Sequence, residues 1–186
     1  MASKKQREVH FKLTDDDYKA FGSYRIMYTD QGHKLVRRQR LTFLLTGIMI
    51  AVLFTLFHVD QKFTYMMYVL AAILIIVGLF FAETLVLRQQ DKAIEASKNS
   101  AERVHAPENI VRFDEDQFHT IAGDDEQSFA YKDIKLIDLT QEAIYVWLSD
   151  EMIMSLPLHA FRNMDEMKEY YKWIKEKIQA QGGTVK

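Results

Sequence analysis

Two stretches of this chain lack the polar face that a helix in water keeps. From Leu41 to Phe57 the only polar side chains are Thr42, Thr46 and Thr55, and Phe63 to Ala82 carries no charge. Each threonine can return its hydroxyl to a carbonyl one turn back. Extended to Val59, the first stretch has 19 residues, about 28 Å as a helix against a hydrocarbon core of about 30 Å. The pattern predicts transmembrane helices at 41–59 and 63–87, joined by an outer turn at 60–62 into an antiparallel hairpin. A helix apolar all round needs a large core or a bilayer, and a chain of 186 residues can scarcely cover two of them. Gly47 with Ala51 and Gly78 with Ala82 are small-xxx-small pairs for helix packing, within the hairpin or between copies as a homodimer. Glu83 is the one ionisable residue set among apolar neighbours, near enough to Arg88 to pair with it by snorkelling.

Outside the hairpin the period changes. Glu8–Leu13 alternates and predicts a strand. Thr14 followed by Asp15, Asp16 and Asp17 starts an amphipathic helix over 15–29, with Tyr18, Phe21, Arg25 and Tyr28 at helical spacing. That face suits the inner leaflet or the soluble domain. A basic run then continues as helix into the first span. After the second span, residues 88–106 read as a polar helical stalk closed by Pro107. From Asn109 the period is 2, giving strands near Ile110–Phe113, Phe118–Ile121, Gln127–Ala130, Ile134–Leu139, Ala143–Leu148 and Met152–Leu156. Asn163 and Glu166 form a capping box for a last helix along Met167, Tyr170, Tyr171, Ile174 and Ile178, closed by Gly182 and Gly183. The expected soluble domain, 107–186, is one antiparallel sheet with a C-terminal helix across it. Its core is small, so Glu8–Leu13 is expected to cross over and join the sheet.

Charge sharpens this picture. The net charge of −2 divides into +5 over residues 1–40, −1 over 41–87 and −6 over 88–186. Lys34, Arg37, Arg38 and Arg40 precede the first span and Arg88 follows the second, so both termini are predicted cytoplasmic, with the basic residues at the membrane interface. The chain has no cysteine, which excludes disulfides, thiolate metal sites and a cysteine nucleophile.

This layout resembles the bacterial YcxB-like membrane proteins. The likeness is carried by Phe11-Lys-Leu-Thr-Asp-Asp-Asp-Tyr18, Ile110–Phe113 with its acidic turn, Phe129-Ala-Tyr-Lys-Asp-Ile134, Ala143–Leu148 and Leu156-Pro-Leu-His-Ala-Phe161. It implies a membrane hairpin plus an α+β domain of pleckstrin-homology-like fold, in the bacterial cell membrane, with no assigned catalytic activity. Leu158 and His159 stand where the resemblance leads one to expect a basic residue after Pro157, which weakens any inference of a phosphate contact there.

No phosphate loop, dinucleotide fingerprint, zinc spacing or nucleophile elbow occurs. The six histidines are scattered, and the acidic clusters 114–116 and 124–126 lack the spacing of a calcium loop and read as turns. No catalytic residue, metal or cofactor is therefore assigned. An acidic soluble domain argues against nucleic acid. The expected partners are the lipid bilayer and an unidentified protein. The expected function is a non-enzymatic module at the inner leaflet, binding a protein segment or lipid. The alternative is an accessory or immunity-type modulator acting through the hairpin faces.

Overall fold

A computed structural model describes residues 7–57, 60–97, 107–149 and 151–183. The chain divides into two compact units: Gly22–Ala96, and Met1–Phe21 together with Ser97–Lys186. The first is helical and the second carries all the described strands.

In the sheet unit, β1 (Arg7–Phe11), β2 (Asn109–Phe113), β3 (Gln117–Ala122) and β4 (Asp125–Ala130) form one antiparallel sheet in that order. A second sheet holds β5 (Leu136–Leu139), β6 (Ala143–Trp147) and β7 (Ile153–Pro157). The crossover is present: β1 pairs with β2, Glu8 opposite Arg112 and Val9 opposite Val111, although residues 12–108 intervene in sequence. β1 covers 7–11 rather than 8–13, because Thr14 and Asp17 hold the following residues as a cap. The Thr14 amide and hydroxyl both donate to Asp17 Oδ2 at 2.6 Å, and the Asp17 amide donates to Thr14 Oγ1 at 3.3 Å.

The single sheet expected from the sequence is two. After β4 the chain makes a 3-10 turn at Tyr131–Asp133. Tyr131 is fully buried and its hydroxyl donates to the Asp114 carbonyl at 2.9 Å, pinning the turn inside the core. The C-terminal helix (Met164–Ala180), named α4 below, lays Met167, Ile174 and Ile178 on a core fed by both sheets. Its expected caps are present. The Glu166 amide donates to Asn163 Oδ1 at 2.9 Å, the Glu166 carboxylate accepts from the Arg162 amide, and Gly182 takes a positive φ of 78°.

α1 (Asp15–Tyr28) begins in the sheet unit and ends in the helical one. The face read from its spacing is divided. Tyr18 and Phe21 are half-buried, with the Phe21 ring 6.2 Å from Tyr145, whereas Arg25 and Tyr28 are exposed. Within the helical unit, Gly22 gives room to the Gln90 side chain, and Ile26 packs with Val36, Ala82 and Val86.

The basic run continues as helix into the first apolar stretch, as expected, in a helix separate from α1. Thr29 is extended (φ −104°, ψ 152°) and opens α2 (Asp30–Leu56): its Oγ1 accepts from the Gly32 amide at 3.0 Å and donates to the Arg25 carbonyl at 2.6 Å. Gly32 sits against the backbone of Arg25 and Ile26, where no Cβ fits. α3 (Gln61–Ala96) follows; residues 58 and 59 of the predicted first span lie outside the described residues. α3 carries the first part of the predicted stalk without a break; the rest, 98–106, lies outside the described residues.

Both long helices are apolar and long enough to cross a membrane. Only 6% of the apolar window of α2 and 22% of that of α3 is buried within the chain.

Candidate functional site

The strand pattern of the first sheet changes along its inner face. Val9, Val111, Phe113 and Phe118 pack into the core. Moving along the same face, Phe118 on β3 gives way to Thr120 and Ala122, and Phe129 on β4 gives way to Gln127 and Asp125. Polar groups are not buried without partners, so the apolar core cannot close over this end of the sheet. An open cleft of about 330 Å³ lies there.

Its walls come from separate elements of the sheet unit. α1 contributes Asp17, Tyr18 and Phe21, β2 contributes Ile110 and Val111, and β7 with the preceding turn contributes Met152 to Ser155. Phe11, Leu13, Ile121, Phe129 and Leu148 complete an apolar lining. Among the described residues, Asp17 and Asp125 are its only carboxylates, and no lysine, arginine or histidine lines it. Asp17 is largely committed to its cap and lies 3.5 Å from His159 Nδ1; the other ring nitrogen of His159 is 3.2 Å from the Lys12 carbonyl. Asp125 accepts from the Gln127 side chain at 3.1 Å. The cavity is thus of ligand size, mostly apolar, with a few polar groups to orient an occupant.

Two polar clusters on the same unit were not anticipated. Arg112 donates to Glu8 at 2.6 Å across the β1–β2 ladder, and this hydrogen bond holds the Glu8 carboxyl below its ordinary range. His119 lies between Asp114 (3.2 Å) and Glu126 (3.4 Å) and within 2.8 Å of Ser128 Oγ. His119 stands directly opposite Ser128 in the β3–β4 register, so these contacts stitch the outer face of that hairpin. They join one residue from each of the two acidic turns, Asp114 and Glu126, to the same imidazole. Tyr145, buried under α1, has its hydroxyl pushed up to about 12 by burial and by neighbouring Glu142 and Asp17.

The residues singled out in the hairpin fall into two groups. Gly47 and Gly78 are buried between α2 and α3: a Cβ on Gly47 would lie 2.6 Å from Ile75 Cγ1 and 3.0 Å from the Ala71 carbonyl, and one on Gly78 would strike Phe43. Ala82 is buried and Ala51 half-buried. Lys34, Arg37, Arg38, Arg40 and Arg88 are all exposed, and none forms an ion pair with a described residue. Glu83 is exposed on α3 and the expected pair with Arg88 is not made. Thr42 and Thr55 do return their hydroxyls to Arg38 and Ala51, and Thr55 also bonds the Tyr68 hydroxyl at 2.7 Å.

No protein-family model, curated protein or solved structure matches the chain.

Proposed function

We propose that this is a two-span membrane protein of the bacterial cell membrane whose sheet unit, of pleckstrin-homology-like fold, is a non-enzymatic cytoplasmic module that binds a segment of another protein. The observation that carries the reading is the pairing of β1 with β2 across a hairpin whose large apolar side chains point outward. Both ends of the hairpin feed one sheet, which supports an even number of crossings and both termini on one side. The exposed basic residues before α2's apolar part and at Arg88 favour the cytoplasmic side for them. The division into a four-stranded and a three-stranded sheet with a C-terminal helix is compatible with the pleckstrin-homology arrangement, and with the YcxB-like layout read from the sequence.

The cleft favours a protein segment over a lipid headgroup, because among the described residues a phosphate would meet carboxylates and no cation there. The alternative, a modulator acting through the hairpin, loses support because Gly47 and Gly78 are already occupied by Ile75 and Phe43 within the chain.

Topology is tested first. With no native cysteine, single cysteines at Gln61, Ser3 and Ser128 are treated in intact cells with a membrane-impermeant maleimide. Labelling at Gln61 alone is the expected result; labelling at Ser128 reverses the orientation. Removal of Asn109–Lys186 is then expected to abolish in-membrane crosslinking to the partner, and retention of that crosslink would move the function to the hairpin.

A further inference from the structure

We infer that one face of α2 is a site for an anionic phospholipid, with the phosphate held by Lys34 and Arg38 and an acyl chain lying on Leu41, Leu45 and Ile48. The site belongs to the helical unit, and it rests on the two-span reading rather than on the module or its cleft.

Helix geometry puts these residues together. α2 is unbroken from Asp30 to Leu56, and positions 34, 38, 41, 45 and 48 recur by four and three, so they form one stripe. The side of α2 that packs on α3 lies about half a turn away. There Val36 clusters with Ala82 and Val86, Phe43 lies against Gly78, and Gly47 lies against Ile75. The stripe is therefore turned away from the hairpin's own seam, and all five of its residues are exposed.

Charge and apolarity divide along the stripe in the order in which they divide in a phospholipid. Between Thr29 and Leu41 stand four cations, Lys34, Arg37, Arg38 and Arg40, against one acid, Asp30. Lys34 and Arg38 are one turn apart, close enough to meet on a single phosphate. The planar fork of Arg38 suits two phosphate oxygens, and Lys34 adds a point charge. From Leu41 to Phe57 no side chain is charged. Arg38 and Ile48 are ten residues apart, about 15 Å along the axis, which is half of a hydrocarbon core of about 30 Å. The apolar half of the stripe thus matches one leaflet.

That match selects the ligand. A soluble phosphate meets the cations and nothing of the apolar half. A zwitterionic lipid covers the apolar half but brings an ammonium group to the cations. An anionic lipid complements both.

The full-length protein in detergent micelles is titrated with dioleoyl phosphatidylglycerol, and separately with dioleoyl phosphatidylcholine, and the lipid retained per chain is read by native mass spectrometry. The tails are the same, so the pair isolates headgroup charge. Phosphatidylglycerol is expected to bind about tenfold more tightly, and a large excess of glycerol 3-phosphate to leave it in place. Arg38→Gln and Lys34→Gln are each expected to weaken it about fivefold. Both positions are exposed on a helix and glutamine is a good helix former, so the fold is kept. Lys62→Gln, which removes an equal charge at the other end of the hairpin, should change nothing. Equal retention of the two lipids, unchanged retention in Arg38→Gln, the same loss in Lys62→Gln, or displacement by glycerol 3-phosphate each overturns the inference. The two-span reading fails separately, on unequal labelling of cysteines placed at Ser3 and Ser128.

Discussion

The two units of this chain solve opposite packing problems with the same side chains. In the sheet unit the largest side chains are innermost: Tyr131, Phe118 and Ile144 are at most 1% exposed. Between the apolar stretches of α2 and α3 the smallest are innermost. Gly47, Ala71, Gly78 and Ala82 are buried, while Phe57, Phe80 and Leu56 are 73%, 75% and 67% exposed. Every large hydrophobic residue exposed among the described residues, Met152 excepted, belongs to Gly22–Ala96. Burial from water drives the first arrangement. On the proposed membrane reading it does not drive the second, since lipid is as apolar as leucine and close backbone approach is left to hold the helices together. Apolarity alone therefore does not say which residues are core; the solvent does.

The sharpest way to break that contrast is to make one truncation in both units. Phe118 packs against Phe129 (ring centroids 5.4 Å apart), Tyr131 (5.9 Å) and Phe113 (6.1 Å). Phe118→Ala is expected to cost about 3–5 kcal/mol through lost transfer energy and a cavity. Phe80→Ala in the hairpin should change stability by less than about 0.5 kcal/mol. Both tryptophans, Trp147 and Trp173, lie in the sheet unit, so urea denaturation in nanodiscs followed by their fluorescence reads its stability directly. A neutral Phe118→Ala would mean that this unit is not packed as a water-soluble domain.

A smaller effect is expected where the hairpin is tight. Gly47→Leu must displace Ile75 and meets the Ala71 carbonyl, which is backbone and cannot rotate away. Overpacking of this kind costs about 1–3 kcal/mol. The change should widen the distance between spin labels at Thr46 and Ala72, whereas Ile48→Leu, on an exposed position, should not. An unchanged distance in Gly47→Leu would show that α2 slides to another register, and that the glycine does not set the approach.

Much of this was legible from periodicity. Two uncharged runs gave the hairpin, and every strand predicted beyond Asn109 has a counterpart within a few residues, because alternation there is enforced by a core on one face. The end of the first amphipathic helix near 29 was legible as well, and Thr29 caps the next helix there. Two features were not legible. The division of the sheet at Tyr131 depends on one buried hydroxyl finding the Asp114 carbonyl, a contact between residues far apart in pattern. The cleft is foreshadowed by Thr120, Asp125 and Gln127 at inward positions of strands; which wall they face depends on α1, whose docking no local pattern encodes.

The cap of α4 should respond more weakly again. Asn163→Ala removes the acceptor of the Glu166 amide at a helix that covers both sheets, and is expected to cost about 1 kcal/mol in the same urea titration. Loss well beyond that would mean that Asn163 also orders the turn from Pro157, in which case Glu166→Ala, which frees the Arg162 amide, should be equally damaging.

The smallest effect concerns the strand that joins the sheet from the far side of the hairpin. Arg112 holds the folded Glu8 carboxyl below its ordinary range. A depressed acid contributes stability above its unfolded pKa of about 4.3 and loses it as pH falls through the folded value. Both side chains are about a third exposed, so water and salt screen the pair and the contribution is slight. The wild-type urea midpoint should therefore fall a little more than that of Glu8→Gln between pH 6 and pH 3, with the two curves converging at the acid end. Because β1 pairs only with β2, hydrogen exchange of the Val9 and Phe11 amides is the more sensitive readout: it should quicken in Glu8→Gln at pH 6 and match wild type at pH 3. Equal exchange at both pH values would show that Val9 and Phe11, through their burial, hold the strand without help from its outer face.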